Sequence, residues 1–192
     1  IVTPWNYPIY LAIGPLTAAF AAGNRALVKM SEFTPSTATV LAELARRYFT
    51  ADELAIVEGD MAVAEAFTRL PFDHLLFTGS TAVGRHVMRA AADNLTPVTL
   101  ELGGKSPAII APDYPLEKAA ARILTGKCLN AGQTCIAPDY VFVPAGKEEA
   151  FCEAARRIVG EVDRQALMMR RGVTRAVAAA ALESLGFSEK SS

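Results

Sequence analysis

Apolar residues recur along this chain in two alternating rhythms. Short continuous apolar runs take turns with longer stretches in which apolar positions return every three or four residues. The first rhythm suits strands buried on both faces, and the second suits amphipathic helices. Tyr10 to Ala22 is rich in alanine and leucine and stops at Gly23-Asn24, which predicts a helix. Ala26 to Met30 predicts a buried strand. Thr34-Pro35 opens a helix reaching Tyr48, with the threonine as cap and the proline in the first turn. Leu54–Val57 predicts a strand, Met61–Arg69 a helix, His74–Thr78 a strand, Ser80–Asp93 a helix and Val98–Leu100 a strand. Strands separated by helices of this length argue for a parallel sheet with helices on both faces.

Beyond Glu101 the alternation continues. Pro107–Ala111 predicts a strand, Leu116–Leu129 a helix, Tyr140–Val143 a strand and Lys147–Val159 a helix. A domain crossing is expected near residues 100–105, where Gly103-Gly104 permits a tight backbone turn. From Asp163 the character changes. Arg164, Arg170, Arg171 and Arg175 precede the run Ala178–Ala181, and the chain closes on Ser188-Glu189-Lys190-Ser191-Ser192. This predicts a helix followed by a frayed polar end. The expected organisation is residues 1–102, 103–162 and a tail, 163–192.

The chain has 192 residues, enough for one full domain or parts of two, and 52% are apolar, which supplies a sizeable core. A net charge of −1 gives no electrostatic reason to expect nucleic acid or an anionic membrane. The three cysteines, Cys128, Cys135 and Cys152, form no even set and no CxxC pair. Free thiols suit a reducing compartment, so a cytoplasmic location is expected. The longest apolar stretch, Ile9–Ala22, is interrupted by Gly14, Pro15 and Thr17 and is too short to span a bilayer; it also lacks a basic leader.

Three polar groups stand out chemically. Cys135 ends Asn130-Ala131-Gly132-Gln133-Thr134-Cys135, just after a helical run. A thiol at such a turn can act as a nucleophile, and Gly132 leaves room beside the backbone. Cys128 and Cys152, inside apparent helices, read as structural core thiols. Glu101, in Leu100-Glu101-Leu102-Gly103-Gly104-Lys105, ends an apolar strand; partly apolar surroundings would raise its pKa and make it a base near neutral pH. Asn6, in Thr3-Pro4-Trp5-Asn6-Tyr7-Pro8, can donate to an oxyanion. Neither His74 nor His86 has a catalytic context, and no metal-ligating pattern is visible.

Two loops suit a nucleotide. Phe77-Thr78-Gly79-Ser80-Thr81-Ala82-Val83-Gly84 joins a strand to a helix, where backbone N–H groups and a hydroxyl can meet a phosphate. It departs from GxGxxG, because Thr81 takes the place of the middle glycine. Lys29-Met30-Ser31-Glu32 follows a strand, so Lys29 and Glu32 can hydrogen-bond ribose hydroxyls. A carboxylate there repels a 2′-phosphate, which favours NAD, with NADP as the alternative.

These motifs, in this order, resemble the aldehyde dehydrogenase superfamily, and the resemblance runs from Ile1 to about Val159. It implies a Rossmann-like NAD-binding sheet, with helices on both faces, joined to part of an α/β catalytic domain. It implies Cys135 as nucleophile, Glu101 as general base and Asn6, with the Cys135 N–H, as oxyanion donors. It places Lys29, Glu32, Gly79, Ser80, Val83, Trp5, Leu102 and Gly103 at the cofactor. The reaction implied is oxidation of an aldehyde to a carboxylic acid through a thioester on Cys135. The phrases Leu95–Glu101 and Cys135–Val141 look like the class 3 branch, whose members act on fatty, benzylic and coniferyl aldehydes. The full-length family member is expected to be a homodimer. Family members are longer, so an N-terminal part of the nucleotide domain, the later catalytic half with its Glu-x-Phe-Gly-Pro segment and an oligomerisation strand are expected outside this sequence. An incomplete sheet leaves open edges and bare apolar faces, so the isolated polypeptide is expected to be poorly soluble or inactive. Rival readings are a CoA-acylating aldehyde dehydrogenase, a remnant that only binds nucleotide or a partner, and a nucleotide-independent cysteine hydrolase.

Overall fold

The computed structural model describes residues 1–169, 172 and 174–187. Arg170, Arg171, Val173 and the polar end Ser188–Ser192, where the sequence predicts fraying, lie outside the described residues. The chain divides into two compact units, Ile1–Gly103 and Gly104–Ser192.

The first unit alternates helix and strand: α1 (Tyr10–Ala21), β1 (Ala26–Lys29), α2 (Pro35–Tyr48), β2 (Leu54–Val57), α3 (Met61–Thr68), β3 (Leu75–Gly79), α4 (Thr81–Ala92) and β4 (Val98–Leu102). β1 pairs with β2 and β3 with β4, both in parallel. The N-terminal segment joins the two pairs, because Val2 bridges Lys29 on one side and Phe77 on the other. Val2 N–H donates to Leu76 O at 2.8 Å, Thr78 N–H donates to Val2 O at 3.0 Å, and Lys29 N–H donates to Ile1 O at 2.8 Å. Three residues at the chain start thus complete the parallel order β2–β1–Val2–β3–β4.

Two apolar clusters hold this unit. Ala12, Leu16, Val28, Met30, Ala38, Ala45 and Leu54 form one; Val2, Phe67, Leu75, Phe77, Val87 and Ala91 form the other. The small residues Ala38, Ala42 and Ala45 let α2 lie close on its neighbours. Thr34 does not cap α2 with its side chain as expected. Its hydroxyl donates instead to Ser31 O at 3.3 Å, closing the loop after β1.

The second unit contains β5 (Ser106–Ile109), α5 (Leu116–Cys128), a short 3₁₀ turn (Leu129–Gly132), β6 (Pro138–Phe142), α6 (Glu148–Met168) and α7 (Arg175–Ser184). β5 and β6 are parallel. Ala120, Ala121, Ala154 and Ile158 form its core, with Leu182, Leu185 and Phe187 packed against them. α6 runs well past Val159, so Asp163 lies inside a continuous helix. Burial of Ala154, Ile158 and Ala166 outweighs the cost of Gly160 in its interior, about 1 kcal/mol. Gly103 and Gly104 do not take positive φ, so the crossing does not need their conformational freedom.

Candidate active site

In parallel strands every carboxyl end points the same way, and α/β sheets bind ligands outside that edge. In the first unit this edge carries all the residues expected to act there. β1 ends at Lys29 and leads into Ser31 and Glu32; β2 ends at Val57 and leads into Glu58, Gly59 and Asp60. The Val2 segment leads into Trp5 and Asn6. β3 ends at Gly79, and β4 at Leu102, whose register partner is Gly79.

A cleft of about 230 Å³ opens between the loops after β1 and β2. Met30, Ser31, Glu32, Glu58, Gly59 and Asp60 are among its lining residues. Glu32 thus lies on the cleft wall. Lys29 is not at the cleft wall: it is 1% exposed. Its ammonium donates to Met30 O at 2.6 Å and to Gly59 O at 2.9 Å, pinning the two loops together. Burial lowers the pKa of Lys29, an effect opposed by the nearby Glu32 and Asp60 carboxylates. The contribution of Glu58 and Asp60 was invisible in the sequence, because it depends on β2 pairing beside β1. Gly59, at φ 136°, is the one local signal: its backbone needs glycine, and an added Cβ would lie 2.6 Å from Val63 Cγ2.

At the next turn Ser80 caps α4, its Oγ accepting from Val83 N–H at 3.3 Å. A Cβ on Gly79 would come 2.5 Å from the Phe77 ring, and one on Gly84 would come 3.0 Å from Leu102 Cδ2. Gly84 therefore lets α4 pack close on β3 and β4, and Gly79 leaves room for the Phe77 ring. Val83 and Trp5 are exposed, at 48% and 46%. Leu102 is half-buried and Gly103 is exposed.

Asn6 is half-buried and helps line an open hollow with Tyr7, Ile9, Tyr10 and Ile13. Glu101 lies near the end of β4, paired in register with Thr78. Its expected apolar surroundings are not found. Burial alternates along β4, so Val98, Leu100 and Leu102 turn inward while Thr99 and Glu101 are exposed.

Cys135 belongs to the second unit, between the 3₁₀ turn and β6, and is exposed. The turn before it is unusual: Asn130, Ala131 and Gly132 have φ of 51°, 56° and 78°. Gly132 takes this conformation without a steric penalty; Ala131 does not. The turn is closed by Gln133 N–H to Asn130 O at 3.0 Å and Ala137 N–H to Thr134 O at 3.1 Å. Cys128 and Cys152 are also exposed, which corrects their reading as core thiols: each lies on an outer face of its helix. Among the described residues, no group of His, Cys, Asp and Glu is arranged to hold a metal, and no helix is long and apolar enough to cross a membrane. Asn6 and Glu101 thus belong to one unit and Cys135 to the other.

Comparison with known proteins gives this arrangement a context. The probable coniferyl aldehyde dehydrogenase of Pseudomonas aeruginosa is 60% identical over 83% of this chain and 33% of its own length. Aldehyde dehydrogenase family 3 member A2 of Rattus norvegicus is 49% identical over the same shares. The substrate-bound structure of Staphylococcus aureus AldH matches with a TM-score of 0.79 and 42% identity, covering 84% of this chain and 35% of that one. A Mycobacterium tuberculosis aldehyde dehydrogenase complexed with NAD⁺ matches with a TM-score of 0.75 and 38% identity, covering 81% and 32%. The chain spans about a third of the length of the relatives it matches. The family model described as "Aldehyde dehydrogenase family" matches residues 1–167, and the chain belongs to that family.

Proposed function

We propose that this chain carries the nucleotide cleft and the nucleophile of an NAD-dependent aldehyde dehydrogenase. The observation that carries the reading is the shared carboxyl edge of the first unit, where the cleft, the Gly79-Ser80 turn, Asn6 and Glu101 collect, within a family match that also includes Cys135. In this reading the strands of that unit form a Rossmann-like nucleotide-binding sheet, and the second unit is part of the catalytic domain. The cleft offers hydroxyl and carboxylate acceptors, from Ser31, Glu32, Glu58 and Asp60, to a ribose. The same three carboxylates repel a 2′-phosphate, which favours NAD over NADP.

Bound NAD supplies the hydride acceptor that turns a thiohemiacetal into a thioester. The residues of the chain do the rest. The Cys135 thiolate forms a C–S bond to the aldehyde carbon, and the carbonyl π electrons move to oxygen. The Asn6 carboxamide and the Cys135 N–H donate to that oxyanion. Glu101 takes a proton from water, the resulting hydroxide attacks the thioester, and the C–S bond breaks to release a carboxylic acid and the Cys135 thiolate. Exposure of Glu101 and Cys135 gives both groups access to solvent and substrate. Similarity to coniferyl aldehyde dehydrogenases and to family 3 members supports an aromatic or a medium- to long-chain aliphatic aldehyde. A homodimer is proposed for the full-length protein.

The test is NADH formation with coniferyl aldehyde and with octanal. Activity that falls by about 10³-fold or more in Cys135→Ala supports the reading. Undiminished NADH formation in that variant refutes it. A chain a third the length of its relatives also supports a second reading, in which the isolated polypeptide binds nucleotide without turnover. NAD binding in the absence of NADH formation distinguishes it.

A further inference from the structure

The second unit contains an irregularity just after Cys135 that the assigned chemistry does not use. β5 and β6 pair with a register shift: Ser106 is opposite Pro138, but Pro107 is opposite Tyr140. Asp139 is therefore the extra residue of a β-bulge, without a counterpart across the ladder. The two prolines flanking the shift lack backbone donors, which explains why regular pairing fails there. A bulge re-aims the side chain it carries and recurs beside active sites. Here the re-aimed Asp139 carboxylate accepts a hydrogen bond from Lys105 Nζ at 3.0 Å.

The location of this pair matters more than its strength. Lys105 is the residue immediately before β5, and Asp139 lies at the start of β6, just after the Cys135 turn. Their side chains are 77% and 32% exposed, so the pair adds little to global stability. Upstream, the Cys135 turn leaves α5 through Asn130 and Ala131, both held at positive φ. A turn under backbone strain relaxes unless both of its ends are held. Downstream, the bulge weakens the backbone ladder that would otherwise hold it, and the ion pair lies at that weak point.

We propose that Lys105 and Asp139 are positioning residues that hold the Cys135 turn in register at the mouth of β6. The proposal rests on Cys135 being the nucleophile, where a displacement of about 1 Å can cost about a hundredfold in rate.

The test is amide hydrogen exchange on the 192-residue polypeptide, comparing Lys105→Met, Asp139→Asn, Lys105→Arg and the charge swap Lys105→Asp with Asp139→Lys. In both Lys105→Met and Asp139→Asn, exchange across residues 130–137 is expected to rise by about threefold or more, with α6 unchanged. Lys105→Arg and the swap are expected to return it to the parent rate. In a Cys128→Ser, Cys152→Ser background, alkylation of Cys135 by iodoacetamide is expected to shift in the same direction in both single variants. Unchanged exchange, failure of the swap to restore it, or alkylation shifts of opposite sign, as simple loss of one charge would produce, overturns the proposal. If Asp139→Asn does not fold, the contrast of Lys105→Met with Lys105→Arg decides by itself. Neither readout needs turnover, so a negative NADH assay leaves this result separately readable.

Discussion

In a polypeptide that begins at Ile1, the terminal ammonium is placed inside the sheet. It donates to Leu27 O at 2.8 Å, and burial lowers its pKa from 8.0 to about 6. A hundredfold loss of proton affinity on folding corresponds to about 2.7 kcal/mol, at about 1.36 kcal/mol for each factor of ten. The sign follows from proton linkage. Between pH 6 and pH 8 the unfolded chain keeps its terminal proton and the folded chain has lost it. Stability therefore rises with pH across that window, and it is lost as pH falls from 8 to 6. Below the window both states are protonated and the penalty is constant; above it both are neutral and the penalty is gone. Urea unfolding followed by far-UV circular dichroism, at pH values from about 5.5 to 8.5, reads this as a rising midpoint. Acetylation of Ile1, or one residue added before it, replaces the ammonium with an amide that keeps the donor to Leu27. The pH slope should then flatten while the high-pH stability is retained. A flat profile in the free-amine chain, or a slope that persists after acetylation, would refute the reasoning.

Other outcomes follow from particular backbone positions. Gly59→Ala forces a side chain onto φ 136° and against Val63, so it should destabilise the first unit by about 3 kcal/mol in urea unfolding; a midpoint equal to the parent would mean that the β2–α3 turn is not built as described. Ala131→Gly removes the left-handed penalty at φ 56°, about 1–2 kcal/mol, against a glycine entropy cost of about 0.5–1 kcal/mol. A small rise in the second unit's melting temperature is expected, and a fall would contradict the strained turn. Ser80→Ala removes the α4 cap on Val83 N–H and should cost about 1 kcal/mol, measurable as a lower urea midpoint.

Much of the local structure was legible along the chain. The runs Ala26–Met30, Leu54–Val57 and His74–Thr78 are short and apolar because parallel strands are covered on both faces, and each became a strand within a residue or so. The Gly79-Ser80 turn could be located because close packing and capping leave residue-type signatures. The Cys135 and Glu101 motifs identified a family without any coordinates. The reading of α6 failed at its C-terminal end, because the burial of Ala166 on one face lies beyond a glycine that local propensity treats as a stop.

Tertiary structure decided the rest, because those features depend on which segments become neighbours. Insertion of Ile1–Thr3 between β1 and β3 is a non-local pairing with no local signature. The β1–β2 register, equally non-local, brings Glu58 and Asp60 beside Glu32 and lets the Lys29 ammonium donate to Gly59 O. The alternation of β4, settled only by what covers each face, left Glu101 in solvent. The bulge at Asp139 lies where Pro107 and Pro138, remote in sequence, flank one register shift of the β5–β6 ladder. The order of elements and the identity of the chemical groups were thus determined by the sequence itself, since both are written in neighbouring residues. Burial, charge environment and the partners of those groups were determined only when distant strands came together.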